Sequence, residues 1–415
     1  MKIKCHRSDE KLVCQIDQNN QTLIVETKLD YLNKQTEDKI NFSSKMLDLL
    51  SISHYVLMID KAVSRMNSID QWMRTFDVVI SVNDVDFWIS EKTTLVNLLN
   101  YLSGDRWSFS FIPDGQEHFY STNHFKEAKG TICMLSGGLD SLIGAINLLE
   151  SKISNFTFVS IIQGGSVNNK AQLEVIKGLT KYYNCDFNNF DRICLRFSNL
   201  PTNKERTTRT RSFAYFTTAL AKNWLYEETT LLIPENGFIS LNIPITNSRL
   251  GSSTTRTTNQ YYLNLLERIY NDCEIKVKMV NPYKFMTKGE MINDCLNKEI
   301  LKALIPLTVS CANPDTKSVK VTKKQCGYCW PCIIRRAALK RSNMASEDYY
   351  SMKLDNCKEA KYSMRAYNKL IIVHKEGNHA SAILQNGPIV NELSTLISLY
   401  RRGMDEIEQL LKEIK

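Results

Sequence analysis

The chain of 415 residues has no stretch approaching 18 uninterrupted apolar residues, which excludes an ordinary membrane-spanning helix. Its opening, Met1-Lys2-Ile3-Lys4-Cys5-His6-Arg7-Ser8-Asp9-Glu10, has no apolar core, so no signal peptide is expected. Twelve cysteines without such a signal read as reduced thiols of a cytoplasmic protein. There is no internal repeat and no low-complexity tail. All six histidines lie outside residues 125–373, which removes histidine acid–base chemistry from the middle of the chain unless another domain lends one. The net charge of +9 is not gathered into one long block, so it is no nucleic-acid signature by itself. It does suggest phosphate-bearing or acidic partners. The densest basic run is Lys204–Arg211.

What is present suits a globular protein: 43% hydrophobic and 23% charged residues, with length for two or three domains. The texture divides into 1–125, an α+β unit; 126–305, alternating strand and helix; 306–345, a cysteine-bearing segment; and 346–415, a helical unit. In the first unit, 22–27 and 76–82 read as strands and 43–50 and 93–101 as helices. Residues 103–111 read as a turn and an aromatic alternating strand, either a docking edge or a half-buried strand. From Thr131 onward, strands are predicted at 131–135, 156–162, 193–197, 230–233 and 275–280. Helices are predicted at 142–149, 171–183, 212–226, 260–270 and 287–296. That alternation predicts an α/β fold with a doubly wound parallel sheet. Ligands of such sheets bind beyond the carboxyl ends of the strands. Ser136–Ser141, Gln163–Gly165 with Gly164 at its centre, Pro234–Gly237 and Asn281–Tyr283 all fall there.

Ser136-Gly137-Gly138-Leu139-Asp140-Ser141 links the first of these strands to its helix. Glycines let the backbone approach a ligand and adopt positive φ, and the free N–H groups of a helix start attract anions. Ser136 and Ser141 add hydroxyl donors, and Asp140 suits a divalent cation that bridges phosphate oxygens. No lysine follows the glycines, so this is not a Walker A loop, and it is not a Gly-x-Ser-x-Gly elbow. It resembles the Ser-Gly-Gly-x-Asp-Ser loop of the PP-loop ATP pyrophosphatases, which cleave ATP between the α and β phosphates.

Cys326-Gly327-Tyr328-Cys329-Trp330-Pro331-Cys332, with Cys311 upstream, has the spacing of a tetrahedral four-cysteine zinc site. Three of the thiols could instead carry an iron–sulfur cluster, and a redox pair is a further alternative. Arg335 and Arg336 follow, placed to soften thiolate charge or to face substrate.

The two end motifs, with Asn281–Met291 and more weakly Arg211-Ser212-Phe213, resemble the 7-cyano-7-deazaguanine synthase (QueC-like) family over residues 130–340. The resemblance implies a PP-loop sheet, ATP and Mg²⁺ as nucleotide and metal, and a structural Zn²⁺ on Cys311, Cys326, Cys329 and Cys332. It implies adenylation of 7-carboxy-7-deazaguanine or a related carboxylate. Ser136, Gly137, Gly138, Asp140, Ser141 and Gly164 would hold the nucleotide. Asp140, Lys288 and Arg211, with Arg256 as a further cation, would serve the reaction. Gly164–Asn169 replaces the family's Gln-Arg-His pattern, and the flanking units are additions. The extended layout is similar to the QueC-like component of Qat-type anti-phage defence systems, which implies partner proteins of a defence operon, and a partner protein is the expected acceptor of the activated carboxylate. A tRNA-modifying enzyme and a non-catalytic nucleotide sensor are the competing readings, with nucleic acid not favoured.

At the C-terminus, Met404, Ile407, Leu411 and Ile414 fall on one helical stripe after an apolar helix at 393–400, with Gly403 read as the break. Asp405 and Glu406 early and Lys412 and Lys415 late suit the helix dipole. The expectation is a packed helical hairpin, with a partner surface as the alternative.

Overall fold

The computed structural model describes residues 1–8, 11–18, 21–29, 42–115, 127–162, 167–185, 187–205, 207–224, 226–243, 256–312, 314, 325–346, 349–350, 358–389 and 392–412. The chain begins with an antiparallel meander, β1 (Lys2–Ser8), β2 (Lys11–Gln18) and β3 (Gln21–Lys28). Helix α1 (Ser44–Ala62) follows, capped by the Ser43 hydroxyl, which accepts the Met46 N–H. It is buried along nearly its whole length, and Asp48, Ser51, Ser53, His54 and Asp60 are buried with its apolar residues. Next come β4 (Thr75–Val82), α2 (Val85–Ser103) and β5 (Arg106–Pro113), with β4 and β5 parallel to β1. On β5, Trp107, Phe109 and Phe111 alternate with outward residues and turn their rings inward. It is therefore both an edge strand and a half-buried one.

The second sheet is built from strand–helix units. They are β6 (Glu127–Met134), α3 (Leu139–Leu149), β7 (Phe156–Ile162), α4 (Val167–Tyr183) and β8 (Phe190–Cys194). The short strand β9 (Phe197–Ser198) leaves this sheet and pairs with β3, so the strand expected at 193–197 is split between two sheets. Asn199, at φ +60°, turns the chain onward. Then come α5 (Arg211–Lys222), β10 (Tyr226–Leu232), the short α6 (Gly237–Ser240), α7 (Gln260–Asp272) and β11 (Val277–Val280). The order is β11-β10-β6-β7-β8, all parallel, while the first sheet, β5-β4-β1-β2-β3-β9, is mixed. The chain steps outward from β6 to β8, then returns to the opposite side of β6 at β10. The strand order therefore reverses between β6 and β10, the place where doubly wound sheets open a crevice.

Helices α1 and α2 fill the space between the sheets, with α1 against α5 and α2 against α7. One apolar core runs from Ile3 and Trp88 through Tyr55 and Phe213 to Ile132 and Leu231. The other face of the parallel sheet is covered by α3, α4, α8 (Lys288–Asn293) and α9 (Lys298–Leu304). The chain ends with α10 (Trp330–Arg341), α11 (Lys358–Lys375), α12 (His379–Leu384) and α13 (Leu393–Lys412). The expected break at Gly403 is absent: α13 runs through it. A Cβ there would stand 2.4 Å from the Phe238 ring, so this glycine serves close packing rather than helix termination. Asp405 and Glu406 consequently lie inside a helix, and α13 packs on α10, α11 and α12 in place of a hairpin. Ile414 and Lys415 lie outside the described residues. Among the described residues no helix is long and apolar enough to cross a membrane.

Candidate functional site

The chain leaves the central strand β6 through Leu135 and enters α3 at Leu139. Gly137 takes φ +80°, and a Cβ on it would meet the Gln172 backbone N at 2.9 Å. Positive φ and close approach both demand glycine at this turn. Gly138 has ordinary φ and is the N-cap of α3, without any side-chain cap. The Ser136 hydroxyl donates to Ser141 Oγ (3.1 Å), and Ser141 donates to the Gly138 carbonyl (3.0 Å). The Val309 N–H binds the Gly137 carbonyl at 3.0 Å, tying the loop to the segment that leads into the cysteine cluster. The start of α3 thus faces a cavity without a side-chain cap, the Gly138 N–H alone reaching the Ser136 hydroxyl at 3.4 Å.

Asp140 turns away from solvent, 7% exposed. Its Oδ1 receives the Lys288 ammonium at 2.5 Å, and its Oδ2 accepts from the Asn236 side-chain amide (2.7 Å) and backbone N–H (3.2 Å). Lys288 is itself only 3% exposed. It opens α8, whose capping box is complete: Thr287 Oγ1 accepts the Glu290 N–H, and the Glu290 carboxylate accepts the Thr287 N–H. Glu235, beside Asn236 at the end of β10, lies half-buried in the same wall and accepts from the Thr258 hydroxyl (3.0 Å). Burial, then the charge of Asp140, pushes its carboxyl up to about 7, against the pull of Lys288. Two carboxylates and one ammonium therefore meet where the strand order reverses.

The cavity that these groups line has a volume of 870 Å³, within the range of small-molecule sites. Ser136, Gly138, Asp140, Ser141 and Lys288 are part of its lining. Tyr328, Trp330, Tyr362 and Tyr367, from the cysteine segment and α11, add aromatic lining, with the Trp330 and Tyr367 rings 5.4 Å apart. Arg211, exposed at the start of α5, reaches the cavity. Arg256 does not line it: its guanidinium donates to the Tyr101 carbonyl and stacks on the Tyr101 ring at 4.5 Å. Nor do Arg335 and Arg336. Arg335 is fully buried and donates to Thr308 Oγ1 (2.7 Å) and the Ile305 carbonyl (3.0 Å), while Arg336 sits 4.1 Å from the Tyr350 ring. Gly164 and the rest of Gln163–Gly165 lie outside the described residues. Within the basic run Lys204 and Arg211 are exposed, whereas Arg209 is 4% exposed and donates to the Ser103 carbonyl at 2.6 Å.

Cys311, Cys326, Cys329 and Cys332 are all buried, with their sulfurs within 4.8 Å of one another. The 311–329 and 326–332 separations are 4.0 and 3.9 Å. Tetrahedral zinc with Zn–S bonds of ~2.3 Å sets its sulfurs ~3.8 Å apart. Backbone N–H groups of Cys326, Ala312 and Cys329 point at the sulfurs of Cys311, Cys329 and Cys326, each at 3.4 Å. Hydrogen bonds from the other three thiols hold the Cys326 thiol far below its usual range, while Cys332 is pushed well above. The group can hold a metal such as zinc, which would let all four ionise.

The structure thus brings Ser136, Asp140, Ser141, Lys288 and Arg211 to one cavity. The sequence places Pro234–Gly237 at the ligand-binding end of the sheet but assigns no individual role to Glu235 or Asn236, whose contacts depend on the fold. The aromatic wall from α11 carries no sequence signal, because it depends on how distant helices pack. Comparison of the chain with protein-family models, with curated proteins and with solved structures gives no match.

Proposed function

We propose that the chain is a PP-loop ATP pyrophosphatase resembling the 7-cyano-7-deazaguanine synthases, and that it activates a carboxylate of 7-carboxy-7-deazaguanine type. One observation carries the reading: the Ser136–Ser141 loop ends the central strand at the reversal of strand order and opens, uncapped, into a cavity shared with Lys288 and Arg211. Helix-start N–H groups there favour the charge that builds on departing pyrophosphate. A carboxylate oxygen of the second substrate attacks the α-phosphorus, the bond to the β-phosphate oxygen breaks, and an acyl-adenylate and pyrophosphate result. A nitrogen nucleophile then displaces AMP. Holding the two reactants side by side supplies much of the rate.

Magnesium, when bound, neutralises phosphate charge. Asp140 and Glu235 are hard oxygen donors of the kind it prefers, and they are the residues that would hold it. Burial and then the charge of Asp140 raise the Glu235 carboxyl, and a cation held by the two carboxylates would lower it again. The cysteine cluster is read as structural zinc, since its thiols are closed in by their neighbours. On the same resemblance the protein acts in the cytoplasm in anti-phage defence, with partner proteins of its operon. The tRNA reading keeps exposed Lys204 and Arg211 as its support, while Arg209 spends its guanidinium on the Ser103 carbonyl.

The test is incubation of the protein with ATP, Mg²⁺ and 7-carboxy-7-deazaguanine, with and without proteins encoded beside it, followed by mass spectrometry of products and proteins. AMP with pyrophosphate is expected. ADP as the main product overturns the assignment, and tight ATP binding without turnover makes the chain a nucleotide sensor.

A further inference from the structure

Lys288 stands at the first position of a six-residue helix, too short to hold its own direction in water. Its capping box leaves each partner with hydrogen-bonding capacity to spare, and α13 uses both. Glu406 Oε1 accepts the Thr287 hydroxyl hydrogen at 2.5 Å, which turns the hydroxyl lone pair toward the Glu290 N–H. Arg402 Nε donates to Glu290 Oε1 (2.7 Å), and its Nη2 donates to the Phe285 carbonyl (2.8 Å). Residues 402 and 406 are one helical turn apart and so share a face. Arg341 supports Glu406 at 3.0 Å. A Cβ on Gly289 would stand 2.6 Å from Glu406 Oε1, so the carboxylate touches the turn as closely as glycine permits.

Glu406 is 4% exposed, and burial raises its carboxyl above the usual range. It lies between Met404 and Ile407, both fully buried. A carboxylate in such a place is costly, and an apolar residue would pack there more cheaply. Its bonds explain it: they fix Thr287 on one side of Lys288 and the Gly289–Glu290 backbone on the other.

We propose that Glu406 and Arg402 are positioning residues for Lys288, so that the C-terminal helix sets where the ammonium points in the cavity. The proposal rests on the reading of Lys288 as part of the nucleotide site. Its test has a readout independent of that reading. The full-length protein is labelled with trace acetic anhydride, and acetylation of Lys288 is measured by peptide mass spectrometry against exposed Lys152. Glu406→Ala is expected to raise Lys288 labelling on the order of threefold or more as its pair with Asp140 loosens. Glu406→Gln, whose amide oxygen still accepts from Thr287, should stay close to wild type. In AMP formation, Glu406→Ala should lower kcat on the order of tenfold with a smaller change in KM for ATP, and Glu406→Gln should recover most of it. If Glu406→Ala does not fold, Arg402→Ala, at a part-exposed position, should show the same gain in labelling, reversed in Arg402→Lys. Unchanged Lys288 labelling in the folded alanine variants overturns the proposal. Absence of AMP formation by wild type overturns the proposed function instead, and the labelling still decides the positioning.

Discussion

Glu235 carries the clearest electrostatic tension in the cavity. Burial and Asp140 raise its carboxyl from the ordinary 4.5 to about 7. The folded state therefore binds this proton more tightly than the unfolded chain does. Its contribution to stability is complete below about pH 4.5 and is lost as pH rises through 7. Glu235→Gln should remove that fall, leaving the variant more stable than wild type at pH 8 by on the order of 2 kcal/mol, after allowance for partial exposure. Urea titrations at pH 5 and pH 8 measure it, and equal pH dependence in the two proteins would refute it. Asp140 behaves otherwise. The sequence offered it only as a cation ligand in a phosphate loop, with no partner of its own. Instead, Asp140→Ala strands the Lys288 ammonium, 3% exposed, without its carboxylate. Breaking a buried pair costs ~3–5 kcal/mol, so a lowered melting temperature should accompany any loss of turnover, and an unchanged one would show that Lys288 finds another partner. The loop was legible because its chemistry is local in sequence. The pairing was not, because residues 140 and 288 meet only through the sheet.

Elements with strong periodicity were legible to within a few residues. Phe156–Ile162 is the strand expected, and the helix expected from Gln260 ends two residues later than read. β1 and β2 escaped notice because their inward positions include Cys5, Arg7 and Cys14, which blur an apolar alternation. α13 shows the reverse error. Gly403 signals a stop locally, yet packing against Phe238 decides its role. Gly403→Ala should gain ~1 kcal/mol of helix propensity and lose ~1–3 kcal/mol to overpacking against the ring, for a net fall in melting temperature. A rise would mean that the ring has room to move. The cysteine segment was legible from spacing alone. Cys329, as N-cap of α10, joins the cysteine cluster to the helix beneath it, so on the zinc reading Cys329→Ser should lower zinc content and thermal stability together. Elemental analysis beside calorimetry checks this, and full zinc content in the variant would remove Cys329 from the ligand set.

At the scale of the molecule, the N-terminal sheet and the parallel sheet share one core. The composition shift near residue 125 marks a change of architecture, but the packing is continuous across α1 and α5. A buried ionic cluster pins this seam. Asp60, at the end of α1, accepts the backbone N–H groups of Arg209 (2.8 Å) and Thr210 (2.9 Å) and the Thr210 hydroxyl (2.8 Å). It thereby caps α5, which has no side-chain cap from its own residues. The other oxygen of Asp60 receives Arg74 at 2.5 Å, and Arg74 in turn binds Asp105 at 2.6 Å. Arg65 completes the cluster on Asp105. Since α5 begins with Arg211 at the cavity, the N-terminal unit holds one wall of the candidate site. The two sheets should therefore unfold together. Hydrogen exchange followed through a urea titration should show segments of β1–β5 and β6–β11 losing protection at one midpoint. Asp60→Ala should lower that shared midpoint by the equivalent of ~3–5 kcal/mol, because it uncaps α5 and leaves buried Arg74 short of a partner. Protection that persists in β6–β11 after β1–β5 has exchanged would show that the parallel sheet stands without the N-terminal unit, and that the seam decorates the site rather than forms it.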